Sequence, residues 1–479
     1  MNEMNESKKI TLTDSQQSAF DKITRFVHNA GARVFILKGY AGTGKTTLMK
    51  VLIGVLNDEE ISFSLLASTG RAAKILSNAT GHEASTVHGT IYKYDGLNLD
   101  LDEVVKKRET SNVDDSGQLF LNFNLCSVKG TDSHFYIVDE SSMVSDKEDK
   151  TATQAMFGSG RLLRDLLEYD KNGKFVFVGD VCQLPPVIQK ISPALNSEYF
   201  RNTFGFDVEE AELTDVVRQS QGNDIVISAQ KVRKLYYNPQ PYKWAKFPLR
   251  GYKNTHIIND QMELVSHYIS DVRENGYNNA TLICYSNRQC NMLTQLIRPS
   301  LGLSSPLLSK GDLLLITQNN YISGLMNGDQ VIVEEVSVQE HRAGLTFVKV
   351  KVKELFTEKT YSQFLISEIL YNNQTNLTQP QQKELLIDFY YRMQEKGIKQ
   401  KSDHFNDMMM TDPYLNAIRA VYGYALTCHK AQGGEWDRVY LDIPRNLPGV
   451  EKPYVYQWIY TAMTRAKSEI YTAEGFWIQ

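Results

Sequence analysis

Cysteine, long apolar runs and net charge are all scarce in this chain of 479 residues. Five cysteines occur, Cys126, Cys182, Cys284, Cys290 and Cys428. They are scattered, odd in number and never spaced as CxxC, which argues against a disulfide framework and against a zinc site. No apolar run approaches bilayer-spanning length, and the opening MNEMNESKKI lacks the apolar stretch of a signal peptide. A cytoplasmic protein with no membrane partner is therefore expected. The net charge is −4, so any nucleic-acid contact has to come from a local basic groove and not from bulk attraction. Internal repeats and long low-complexity tracts are also missing.

What is present has the apolar and charged content of an ordinary globular protein, at a length that predicts two to four domains. Short apolar runs at 34–37 (VFIL), 63–67 (FSLLA), 135–138 (FYIV), 175–178 (FVFV), 281–285 (TLICY) and 439–441 (VYL) alternate with helical patterns. They read as buried parallel strands of two α/β cores, each carrying an insertion. Three stretches differ in texture. Residues 100–133 are charged and then alternate as LFLNFNL, predicting a hairpin after the Asp115-Ser116-Gly117 turn signal. LTFVKVKVK (345–353) predicts one strand of a small antiparallel sheet, and 372–412 predicts a helix through QQKELLIDFYYRMQEK.

The strand VFIL runs into GYAGTGKTT, where Gly39-x-x-x-x-Gly44-Lys45-Thr46 fits a P-loop. In that motif backbone N–H groups cradle phosphates, lysine reaches the β- and γ-phosphates and threonine ligates Mg²⁺. After FYIV come Asp139 and Glu140. At the carboxyl end of a parallel strand the first can hold Mg²⁺ and the second can orient and deprotonate an attacking water. That pairing favours hydrolysis over transfer to an acceptor hydroxyl. After FVFV comes GDVCQLPP, which could set Gln183 near a γ-phosphate.

The set GYAGTGKT, FYIVDESSM and VGDVCQLPPV resembles superfamily-one helicases, and within them the RecD and Dda-like branch. ELTDVVRQ, YGYALTCHKAQGGEWD and YTAMTRAK continue the pattern in order. The resemblance implies two RecA-like parallel-sheet motor domains, at 1–211 and 212–479. The first would carry a β-hairpin pin within 89–133, the second an SH3-like β-barrel with tower at about 310–412. It implies ATP and Mg²⁺ as cofactors, with single-stranded DNA and its duplex junctions as partner and 5′→3′ polarity. Lys45, Glu140, Gln183, Arg218 and Arg465 would be catalytic, Arg465 as an arginine finger. Gln16, Gly39, Ala41, Gly42, Thr43, Gly44, Lys45, Thr46, Thr47, Gly434 and Glu435 would line the nucleotide, with Thr46 and Asp139 on the metal. Ser68, Thr69, Arg71, Thr86, His88, Asn287, Thr427 and His429 would touch DNA, with Lys74 and Lys430 adding charge.

Two points stay open from the residues. Thr13-x-x-Gln16 is also a helix capping box, so Gln16 serves either the helix or adenine. Phe120 or Phe123 could form the pin tip, yet alternating aromatics also describe a strand's buried face. Other activities compatible with the motifs are an RNA helicase, an accessory motor subunit, or a nucleotide-switched DNA-binding scaffold that does not unwind.

Overall fold

The computed structural model describes residues 11–110, 121–128, 134–148, 155–216, 223–372 and 374–479. Within them a six-stranded parallel sheet has the order Ala84–Thr86, Phe63–Ala67, Phe135–Asp139, Lys174–Gly179, Val34–Gly39, Val208–Leu213. Side chains on a strand alternate between faces. Phe35 and Leu37 accordingly pack under helices Asp14–His28 and Lys45–Asp58, while Val34 and Ile36 join the opposite core with helix Leu162–Tyr169. Burial on both faces is why these strands read as continuous apolar runs. The register pairs Leu37 with Val178, and Val138 with Phe177. Gly39, Asp139 and Gly179 therefore finish together along one edge.

A second parallel sheet has the order Thr255–Ile258, Ala466–Ala473, Trp436–Asp442, Ala280–Cys284, Leu426–Thr427. Ile283, Val439 and Ile470 face helices Ile225–Tyr237 and Tyr454–Met463. Leu282 and Cys284 face helices Gln261–Asn275 and Asn287–Ser300.

The expected antiparallel sheet is present as Thr360–Ile366, Leu345–Glu354, Gln330–Arg342, Leu313–Ile316 and Ala420–Tyr422, its last strand lying beyond residue 412. Val348, Val350 and Val352 are buried while Lys349 and Lys351 are exposed, as the alternation requires. Ile418 donates its N–H to Phe364 O (2.7 Å) and accepts from Ile366 N–H (3.1 Å), so the sheet's two outer strands meet and it curls onto itself. Helix Gln379–Glu395 forms with a Thr378/Gln381 capping box, followed by helix Asp403–Thr411.

The 100–133 expectation needs correction. Leu121–Leu125 is a strand, but its antiparallel partner is Tyr92–Leu97. Between them residues Leu101–Thr110 form a helix. Leu101, Val104 and Val105 recur at helical spacing and bury against Leu386, Phe389, Tyr390 and Met393 of helix Gln379–Glu395, with Phe405 and Met409 behind. Leu101 N–H donates to Gln400 Oε1 (2.8 Å), Lys401 pairs with Asp100 (2.9 Å), and Tyr390 O–H donates to Asp102. Phe123 is 6% exposed and stacks on Phe157 at 4.7 Å, so it belongs to the buried face and is no tip. Phe120 and the Asp115-Ser116-Gly117 turn lie outside the described residues. Among the described residues no helix is long and apolar enough to cross a membrane.

Candidate functional site

Gly39 closes its strand, and the loop to helix Lys45–Asp58 turns through Gly42 (φ 80°) and Gly44 (φ 79°), values an L side chain seldom adopts. Gly44 also has no room, since a Cβ there would sit 2.3 Å from Gln16 Nε2. Thr43 Oγ1 donates to Tyr40 O (2.8 Å), and Lys45 Nζ donates to Gly39 O (2.8 Å) and Tyr40 O (3.2 Å), which folds the lysine across the loop. Thr46, exposed, and Thr47 follow in the helix's first turn.

Gln16 is 2% exposed and makes the capping box. Its Oε1 accepts from Thr13 N–H (2.9 Å), while Nε2 donates to Thr43 O (3.0 Å). The amide therefore braces the phosphate loop from below.

Asp139 accepts from the Glu140 N–H (2.9 Å). Burial and then neighbouring Glu140 push the Asp139 carboxyl up to about 7, against the pull of Lys45. Glu140 stands in the left-handed region (φ 49°), a costly backbone for this residue type that turns its side chain off the strand end. Arg465 Nη1 lies 3.9 Å from Glu140 Oε1. That arginine is 4% exposed and held by Thr461 O (3.1 Å), Gly434 O (3.3 Å) and Thr464 Oγ1 (3.3 Å). Two residues 325 positions apart, one from each sheet, are thereby brought face to face.

Several residues at this seam were missed from the sequence. Tyr460 O–H donates to Asp180 (2.7 Å) and its oxygen accepts from the Ala41 N–H (3.1 Å), so one phenol links phosphate loop, third strand end and helix Tyr454–Met463. Burial raises the Asp180 carboxyl and raises the Tyr460 hydroxyl further above its usual range. Thr461 Oγ1 accepts from Leu184 N–H (2.8 Å), Gln457 Nε2 donates to Gln183 O (3.1 Å) and Gln432 Nε2 to Leu184 O (3.1 Å). Gln183 itself is 3% exposed, and its Oε1 is buried with no hydrogen-bond partner among the described residues. The available signal was position: Asp180 directly follows a strand as Glu140 does, and Tyr460 and Thr461 sit inside YTAMTRAK. Arg218 lies outside the described residues. Gly434 contributes its carbonyl to Arg465, with Glu435 adjacent.

The strand-contact candidates divide. Asn287, Thr427 and Lys430 line one cleft between the second sheet and the curled antiparallel sheet. Burial lowers the pKa of Lys430 and of neighbouring His429. Thr69 and Thr86 cap helices, their oxygens accepting from Ala72 N–H (3.2 Å) and Gly89 N–H (3.1 Å), which leaves each hydroxyl proton to donate. Ser68 Oγ is buried with no partner among the described residues.

Arg71, Lys74 and His88 differ from expectation. The Arg71 guanidinium lies over the Trp436 ring at 4.2 Å and donates to Gln330 Oε1 (3.2 Å); burial pushes its pKa down to about 10. Lys74 pairs with Asp329 (2.7 Å) and Glu354 (3.0 Å), both buried. These two cations hold helix Gly70–Thr80 against the second half of the chain. His88 packs edge-on to Phe157 at 5.4 Å, and burial pushes its pKa down to about 4. Its partial burial favours the neutral form.

Fold and site together define a P-loop nucleotide-binding protein with two parallel α/β cores meeting at one cleft. A family model described as an AAA domain matches residues 11–234, and one described as a UvrD-like helicase C-terminal domain matches residues 422–472. The chain is 24% identical over 463 residues to the ATP-dependent RecD2 DNA helicase of Deinococcus radiodurans, covering 96% of this chain and 49% of that protein. It is 23% identical over 487 residues to the ATP-dependent DNA helicase dda of Enterobacteria phage T4, covering 96% and 98%. The chain thus spans about half the length of the first relative and nearly all of the second. A crystal structure of Pif1 helicase from Bacteroides with ADP-AlF3 and ssDNA shares 16% identity over 98% of this chain and 93% of that one, at a TM-score of 0.48. By its sequence relatives the chain resembles superfamily-one helicases of the RecD and Dda type.

Proposed function

We propose that this protein hydrolyses ATP to move 5′→3′ along single-stranded DNA and to separate duplex ahead of it. The observation that carries the reading is Arg465 of one core standing 3.9 Å from Glu140 of the other, beside the phosphate loop. Arginine's fork of donors suits a γ-phosphoryl group whose charge is spread over three oxygens. Delivered from the opposite core, it makes hydrolysis depend on closure. Glu140 takes the proton of the attacking water, and Lys45 neutralises the phosphates. A carboxylate and an exposed threonine hydroxyl are a donor set for a hard cation, so Asp139 and Thr46 would hold Mg²⁺, which would supply positive charge to the triphosphate. The raised Asp139 carboxyl fits this role, since a cation favours its ionised form. The Tyr460 hydrogen bonds give the two cores a route to sense each other through Asp180 and Ala41.

In this reading the chain divides just after the strand Val208–Leu213, two residues beyond the 211/212 boundary drawn from sequence. The Tyr92–Leu125 hairpin, with its helix, serves as the pin, and the curled sheet with helices Gln379–Glu395 and Asp403–Thr411 as the SH3-like barrel and tower. QLPP and the place of both insertions favour 5′→3′ over the opposite direction. A strand-displacement assay decides: duplex with a 5′ single-stranded tail is unwound and duplex with only a 3′ tail is not. Efficient unwinding from the 3′ tail overturns the direction. A requirement for 2′-hydroxyls would point to RNA, and strand-stimulated turnover without displacement to a switched scaffold.

Strand affinity is expected to fall with salt, with a slope of about −0.7 per phosphate contacted. Lys430→Ala should make that slope shallower by about 0.7. Lys74→Ala should leave it unchanged, because Lys74 is already neutralised by Asp329 and Glu354. A slope that responds to Lys74 and ignores Lys430 reverses the assignment of the groove.

A further inference from the structure

One arginine at the nucleotide cleft has no part in the reading above. Arg233 stands on helix Ile225–Tyr237, and its guanidinium carbon lies 3.5 Å from the centre of the ring of Tyr40, the tyrosine within the phosphate loop. Its Nη1 is buried and has no hydrogen-bond partner among the described residues. The same cleft is lined by Ala41 and Gly42 of the loop and by Tyr460 and Thr464 from the opposite side.

A buried guanidinium N–H with nothing to donate to is rare and calls for a ligand or a reason. Packing cannot be the whole reason, because a flat guanidinium lying on an aromatic face directs its N–H donors outward from the rim of the ring. Ala41 and Gly42 line the same cleft as Arg233. Tyr40 is fixed as a platform: its O–H donates to Glu212 and lies 3.4 Å from the Tyr237 hydroxyl. The carboxylate nearest this tyrosine is thereby engaged by the phenol.

We propose that Arg233 is a further nucleotide-contacting residue, which donates from Nη1 to the terminal phosphate of a nucleoside triphosphate held in the loop and so distinguishes triphosphate from diphosphate. The inference rests on the reading that this loop binds ATP. It differs from the role of Arg465, which faces Glu140. Arg233 instead approaches on the Tyr40 side, from a helix that follows directly on the link between the two sheets. Loss of the terminal phosphate would return this donor to its unpartnered state, giving that helix a contact present only before hydrolysis.

The test measures equilibrium binding of a fluorescent non-hydrolysable ATP analogue and of fluorescent ADP to the full chain, without DNA. Arg233→Met keeps the length and the contact with Tyr40 but removes the donors. It is expected to weaken the ATP analogue by about tenfold to a hundredfold, the size of one charge-assisted hydrogen bond, and ADP by less than about twofold. Arg233→Lys restores charge without the fork and should recover only part of the loss, which guards against a variant that merely packs badly; thermal unfolding of the nucleotide-free variants checks the same point. Equal loss for both nucleotides, or no loss for either, overturns the proposal while leaving ATP binding by the wild type intact. A wild type that binds neither nucleotide overturns the ATP reading itself, and this inference with it.

Discussion

Arg465→Ala is expected to lower saturated ATP turnover by on the order of 10³ while changing the dissociation constant for ATP by less than about tenfold. The side chain is almost fully enclosed and oriented by two carbonyls and a hydroxyl of its own core, so it arrives at the cleft with its direction already set. Its nearest acid across the cleft is Glu140, the residue proposed to activate the attacking water. Steady-state kinetics with strand present at saturation separates the two quantities. A loss that appears wholly in affinity, with saturated turnover unchanged, would make Arg465 a binding residue.

Glu140→Gln is expected to bind ATP and stall, with turnover reduced by about 10² to 10⁴ as general-base catalysis is lost. Glutamine keeps the shape and the left-handed turn but cannot accept the proton. A second effect follows from the neighbouring carboxyl. Glu140 is one of the causes that raise Asp139, so its neutralisation lowers the Asp139 pKa and favours the ionised, cation-binding form. Binding of Mg²⁺ with nucleotide should therefore hold or strengthen in the variant, most visibly below pH 7, where the wild-type carboxyl is largely protonated. Single-turnover hydrolysis beside equilibrium binding reads both effects. Wild-type turnover in Glu140→Gln would remove it as the base.

Residues whose environment is set by their own strand and turn were legible from the sequence. Asp139 ends a buried apolar strand and Glu140 follows it, while Lys45, Thr46 and Gln183 lie just past the turns after two more such strands, and parallel register brings those strand ends to one edge. Thr13 and Gln16 were legible as a capping box for the same reason. The partners of Arg71 and Lys74 could not be read from the sequence because they lie far along the chain. Lys74 meets acids 255 and 280 residues away, and no local pattern records that. The ring contact of His88 was hidden likewise, since Phe157 comes from a strand 69 residues on. The helix Leu101–Thr110 was hidden by an alternating stretch downstream, although Leu101, Val104 and Val105 carried helical spacing that only the partner helix made decisive.

That helix has a mechanical consequence. Besides the chain crossing after Leu213 and the polar links already described, the two halves meet where Leu101, Val104 and Val105 bury against Leu386, Phe389, Tyr390 and Met393. This contact joins the inserted segments and not the sheets that carry the phosphate loop. A swing of one half against the other must therefore carry the insertions along or break apolar packing. Replacing Val104 or Phe389 with a polar residue would weaken that tie and let the insertions move apart.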